Sequence, residues 1–211
     1  MPIKPERQYR KIDIRNMEAR EDEGRMIVEG YATTFDQPYV LWEEEGFTLR
    51  EVIDPHAFDA TDMADVIMQY DHQGRVFART RNGTLTVTPD EHGLLIRADL
   101  GGTQIGRQLY EEIRGGYTDR MSFGFTIDAE EETREKEPDG RESILTRITG
   151  IRKLYDVSAV SIPANDATEI SARSRCEGAI ARIQEERLAI AERERKRKLI
   201  KIKMEVHRHD L

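Results

Sequence analysis

The feature that most constrains this chain is a single change of hydrophobic period inside a long series of strand-like runs. Residues Lys11 to Phe35 read as two strands around the turn Glu21-Asp-Glu-Gly24, the second being Met26-Ile-Val-Glu-Gly-Tyr-Ala-Thr-Thr-Phe35. Phe47 to Ile53 is another strand, and Val66-Ile-Met-Gln-Tyr70 is a short apolar run that suits a buried one. Gly83 to Thr88 and Gly93 to Leu100 flank Pro89-Asp-Glu-His92 as a hairpin. These runs are rich in β-branched and aromatic residues and bounded by turn formers, the signature of short strands. Asp54-Pro-His-Ala-Phe58 reads as a turn opening a short helix, with Asp54 as cap and Pro55 at the first helical position. Then Ile105, Leu109 and Ile113 recur at i, i+4, i+8, which predicts an amphipathic helix from Thr103, its cap, to Arg114, stopped by Gly115-Gly116. Strands resume at Arg120 to Ile127, Ser143 to Ile151 and Lys153 to Ile162, and acidic Asp128 to Arg141 reads as an exposed loop. Many short strands around one helix predict a mainly β protein with helices (α+β), a mostly antiparallel barrel or sandwich over about 170 residues.

After that point the character changes. The segment 174–211 carries 11 Lys/Arg against 7 Asp/Glu, a net of +4, which leaves −12 of the chain's −8 total on residues 1–173. Two parts are expected, a strand-rich body (1–173) and a charged tail (174–211), helical or partly disordered. Within the tail, Leu199 to Val206 alternates with period two, so strand, helix and disorder are all open there. An acidic body argues against a nucleic-acid-binding core, and only the run Arg193-Glu-Arg-Lys-Arg-Lys198 offers a basic patch. One cysteine, Cys176, excludes an intrachain disulfide framework and a Cys-rich zinc site. No apolar run reaches the ~18–20 residues of a membrane span.

Five histidines are candidates for chemistry. His207 and His209 lie in the tail, His92 in a hairpin turn and His56 at the expected helix start, whereas His72 ends a hydrophobic strand, where a rigid scaffold presents groups to a cleft. In Met121-Ser-Phe-Gly-Phe125, strand alternation sends Met121, Phe123 and Phe125 to one face and Ser122, Gly124 and Thr126 to the other. The bulky face locks the strand, and the small face leaves room at the Ser122 hydroxyl, either for a substrate or for a closely crossing element. Asp156 interrupts the apolar run Leu154 to Ile162, and a desolvated carboxylate there needs a partner or water. No metal-ligand spacing and no cofactor loop stands out, so neither a metal nor a cofactor is expected.

Taken together and in order, Glu51-Val-Ile-Asp-Pro-His-Ala-Phe58, Tyr70-Asp-His-Gln73, Gly93-Leu-Leu-Ile96, the helix ending at Gly116, Met121-Ser-Phe-Gly-Phe125 and Asp156-Val-Ser-Ala-Val-Ser-Ile-Pro-Ala-Asn165 resemble the prohead maturation proteases of tailed bacteriophages, a family similar to the herpesvirus assemblins. The resemblance spans roughly Arg10 to Ser171. It implies a small β-barrel of the herpesvirus-protease type, and a serine endopeptidase with Ser122 as nucleophile, His72 as base and Asp156 as the third member. It also implies a site inside the assembling prohead in the host cytoplasm. There such enzymes cut the scaffolding segment from the major capsid protein and cut themselves, with self-association open. The turn around Ala164 and Asn165 is the expected oxyanion region. Two departures stand out: the family often reads His-Asp where this chain reads Asp71-His72-Gln73, and it commonly has Glu where this chain has the shorter Asp156. The competing expectations are a non-catalytic capsid assembly or scaffold protein with the same fold, and an accessory protein that binds nucleic acid through the tail.

Overall fold

The structure is a computed structural model that describes residues 6–12, 17–44, 46–137, 140–160 and 166–209. Among the described residues, eleven strands and two α-helices follow in the order β1 (Gln8–Ile12), β2 (Glu18–Asp22), β3 (Arg25–Thr34), β4 (Tyr39–Glu44), β5 (Phe47–Ile53), β6 (Ile67–Tyr70), β7 (Gln73–Arg79), β8 (Leu85–Pro89), β9 (Gly93–Asp99), α1 (Gln104–Arg114), β10 (Arg120–Lys136), β11 (Glu142–Val160) and α2 (Asp166–His209). The chain divides into two units, 1–170 and 171–211.

In the first unit the strands form two sheets. One has the order β1-β10-β11-β5-β4, with β6 and then β7 branching from β11, and the other is β2-β3-β9-β8. The sheets do not close on themselves, so the expected barrel is corrected to two open sheets. What joins them is mainly side-chain packing. Val28 and Ala32 of β3, with Leu94 and Ile96 of β9, share one hydrophobic cluster with Met121, Phe123 and Phe125 of β10 and Leu154 and Val157 of β11. A lone parallel bridge between Phe35 and Ile53 stitches the sheets at one corner. Closure would require an unbroken ladder of hydrogen bonds around the ring, whereas burial of apolar faces requires only contact. Helix α1 closes the core with Leu109, Tyr110 and Ile113, and the Thr103 side chain caps it by accepting from the Gly106 amide.

Other expectations need correction. Asp54 to Phe58 forms successive turns rather than a helix; the Asp54 carboxylate still accepts from the His56 amide, as a cap would. The acidic stretch after Ile127 is strand, not loop. It pairs with β11 from Ala129 with Gly150 and, after a register shift, residue by residue from Glu130 with Ile148 to Lys136 with Glu142. Its outer face is charged because no layer covers it, and partners such as Arg50 with Glu135 at 2.8 Å decorate rather than hold it, exposed pairs being worth about 0–1 kcal/mol. The expected runs Ser143–Ile151 and Lys153 onward are one continuous strand, β11, up to Val160, and Ile162 lies outside the described residues. The first half of β11 lies parallel to β5 and its last part parallel to β6.

In the second unit the backbone is helical through Leu199 to Val206, where three states were open. A helix already under way upstream, with Glu192 and Lys196 paired at 2.8 Å across one turn, extends through residues of good helix propensity. Leu188, Ile190, Leu199 and Ile200 are exposed along it.

Candidate active site

Strand β10 carries Ser122 as alternation predicts. Met121, Phe123 and Phe125 are buried in the core, with the last two rings stacked at 4.6 Å, and Ser122 and Gly124 take the opposite face. Each buried ring contributes about 1.5–3 kcal/mol, which fixes the strand that bears the hydroxyl. Asp156 comes from the neighbouring β11, opposite Gly124. The pairing then steps to Phe125 with Leu154, so Tyr155 is an extra residue in the ladder. Such a bulge turns the side chains beside it, and here it accompanies the carboxylate on the Ser122 face.

His72 arrives by a different device. Strands β6 and β7 pair Tyr70 with Gln73, which leaves Asp71-His72 as a two-residue hairpin loop. Both residues have positive φ, 48° for Asp71 and 59° for His72. This is the backbone of the tight turns that suit twisted hairpins, which glycine and asparagine usually occupy. A histidine there costs about 1–2 kcal/mol. The turn is held by hydrogen bonds into β11, the Asp71 amide donating to the Ala159 carbonyl at 3.2 Å and the His72 amide to the Ser158 hydroxyl at 3.1 Å.

These elements bring His72, Ser122 and Asp156 together. His72 Nε2 lies 2.5 Å from Ser122 Oγ, and His72 Nδ1 bonds Asp156 Oδ2. Asp156 Oδ2 also accepts from the Ser158 hydroxyl at 3.0 Å, and Oδ1 from the Arg7 guanidinium. Sequence reasoning missed Ser158, Arg7 and the particular need for Gly124. A Cβ on Gly124 would lie 2.2 Å from Asp156 Oδ1, 2.9 Å from Arg7 Nε and 3.0 Å from the Tyr9 ring. The absent side chain is what lets a carboxylate as short as Asp156 occupy this place.

Burial raises the cost of charging Asp156, but the hydrogen bond and charge of His72, the charge of Arg7 and the Ser158 hydroxyl outweigh it and hold the carboxyl below its ordinary value of 3.8. A depressed carboxyl contributes stability that is complete above the unfolded value and disappears as pH falls through the folded one. Wild type should therefore exceed Asp156→Asn in unfolding free energy at pH 7, and the gap should close below about pH 4. Denaturant titrations of both proteins from pH 2.5 to 7 check this, and a gap constant with pH would refute it.

The other candidates lie elsewhere. His56 is 82% exposed beside Asp59, and His92 packs edge-on against Tyr31. His207 and His209 fall in α2, in the second unit. Ala164 and Asn165 lie outside the described residues. Among the described residues no cluster of His, Cys, Asp and Glu is arranged to hold a metal. Beside the His72 hairpin, Tyr70, Gln73 and Phe77 face Ile105, Leu109 and Glu112 of α1 across a cleft of about 540 Å³.

A serine, an imidazole and a carboxylate in series on a β scaffold have the geometry that nucleophilic hydrolysis requires. Comparison with known proteins goes further: a family model of caudovirus prohead serine proteases matches residues 11–181, and the chain belongs to that family. Among solved structures it is similar to the bacteriophage T4 capsid assembly protease, at 11% identity and a TM-score of 0.39, over 74% of this chain and 98% of that one. No curated protein matches it.

Proposed function

We propose that this prohead protease is a serine endopeptidase acting through Ser122, His72 and Asp156, and that it cuts the scaffolding segment from the major capsid protein, and itself, inside the assembling prohead of the host cell. The observation that carries the reading is the 2.5 Å approach of Ser122 Oγ to His72 Nε2, with Nδ1 of the same ring on Asp156. A serine hydroxyl is a weak nucleophile until a base within hydrogen-bond reach takes its proton. Asp156, ionised and able only to accept, keeps the His72 proton on Nδ1 and leaves Nε2 free for that purpose. His72 takes the Ser122 proton as Oγ adds to the scissile carbonyl carbon. It then returns that proton to the leaving amine as the carbon–nitrogen bond breaks. Water, deprotonated by the same imidazole, then adds to the acyl carbon, and the imidazolium returns that proton to Ser122 Oγ as the ester bond breaks. Asp156 stabilises the imidazolium at each stage, and Ser158 holds both the His72 backbone and the Asp156 carboxylate in register. The cleft between the His72 hairpin and α1 has room for substrate side chains.

Co-expression with the capsid precursor, followed by mass measurement of both chains, tests the reading. Wild type should shorten the precursor, His72→Ala should not, and His56→Ala and His92→Ala should behave as wild type. Processing by His72→Ala equal to wild type would overturn the assignment. An intact precursor with every form would favour a purely assembly role.

A further inference from the structure

Among the described residues, 184–200 of α2 are exposed at every position, about five turns of helix. Helices in proteins owe most of their stability to the packing of one face rather than to propensity, so a bare stretch of this length calls for a partner. One of its faces suits another helix. Leu188 and Leu199 are 72% and 50% exposed and stand about three turns apart. Glu192 and Arg195 lie between them, and at ~100° per residue all four fall within an arc of about 60°. Beside them Ala191 leaves a groove of about 330 Å³ that runs along Arg195, Lys198 and Leu199. Glu192 meets Lys196 through Oε1 at 2.8 Å, which leaves Oε2 able to accept, and Arg195 forms no ion pair among the described residues.

The order of charge says what the partner is. Residues 185–192 hold three Glu and one Arg, a net of −2, and residues 193–200 hold five Lys/Arg and one Glu, a net of +4. Two parallel copies would set each segment against its own sign, whereas two antiparallel copies set each against the opposite sign. We propose that α2 pairs with α2 of a second copy of this chain, antiparallel about a two-fold axis between Arg193 and Glu194. In that register Leu188 of each copy meets Leu199 of the other and Glu192 meets Arg195, so two leucine layers enclose two ion pairs. The same patch serves both copies, as two-fold association requires. Leucine contact drives the pairing, and the charges fix its direction and its partner, as flanking charges do in paired helices. The interface is small, so the pairing is weak and depends on concentration. Nothing in it depends on the role of Ser122.

Sedimentation equilibrium of the full chain tests the pairing. Ser122→Ala serves as the parent, so that self-cleavage cannot remove α2, and mass measurement confirms all 211 residues. The parent should pass from monomer toward dimer between about 1 and about 100 μM. Glu192→Arg and Arg195→Glu each set like charges face to face twice, and each should weaken dimerisation at least about tenfold. An equimolar mixture of these two variants restores opposite charge at both places and should dimerise as the parent does. Leu188→Ala leaves the single helix intact, since Leu188 is exposed and Ala is the better helix former. It should weaken dimerisation by a similar factor, and it carries the test if a charge variant loses helix by circular dichroism. A parent that stays monomeric over the whole range overturns the inference. A dimer that none of the variants weakens overturns it too, by placing the contact elsewhere. So does a mixture that fails to recover, because the charge variants would then act within their own helix.

Discussion

Ser122→Ala should abolish cleavage of the capsid precursor, with a fall in kcat on the order of 10⁶. The fold should survive, because Ala keeps the small face of β10 and leaves the buried rings of Phe123 and Phe125 untouched. What is lost structurally is the hydroxyl's bond to the Arg10 carbonyl and its contact with His72 Nε2, each worth about 1 kcal/mol. Single-turnover cleavage of the purified precursor, alongside thermal unfolding of both proteins, measures the two parts separately. Residual cleavage within tenfold of wild type would place the nucleophile elsewhere. A melting temperature far below wild type would mean that the hydroxyl is a structural necessity.

Gly124→Ala should be nearly as damaging to activity, through a different route. The new methyl group would occupy the place of Asp156 Oδ1, which it would approach to 2.2 Å. The carboxylate cannot swing away freely, since His72, Ser158 and Arg7 all hold it. Either Asp156 or the strand must shift, and the imidazole loses its orienting partner. Loss of that partner costs about 10⁴ in kcat, and the overpacking about 1–3 kcal/mol of stability. Steady-state kinetics and chemical unfolding of Gly124→Ala give both figures. Activity near that of wild type would show that Asp156 is not needed where it stands.

The two variants mark how much was legible in the sequence. The small face of Met121 to Phe125 could be read locally because side chains alternate with the pleat whatever the strand's partners are. A histidine at the end of an apolar run and an acid inside another were legible for the same reason. The rest depended on pairings that leave no local trace. Residues Gln8 to Ile12 form an unremarkable polar pentapeptide, and their partnership with β10 joins residues more than a hundred positions apart. Strand β4 is nearly as short. The outer half of β10 has no apolar alternation, since its partner strand, rather than a covering layer, holds it. The bridging by Ser158 follows from the sheet order β10-β11-β6, which brings the His72 turn over β11, and no spacing rule encodes that. The barrel expectation failed similarly: the strands were present, but whether edges meet is a property of the assembled sheet.

The pairing of β1 with β10 also sets an order of events. Lys11 and Ser122 sit opposite one another although 111 positions separate them in the chain, and a pairing of that separation forms late because a long loop must close before the contact rewards it. The strand that bears Ser122 therefore gains its outer neighbour only near the end of folding.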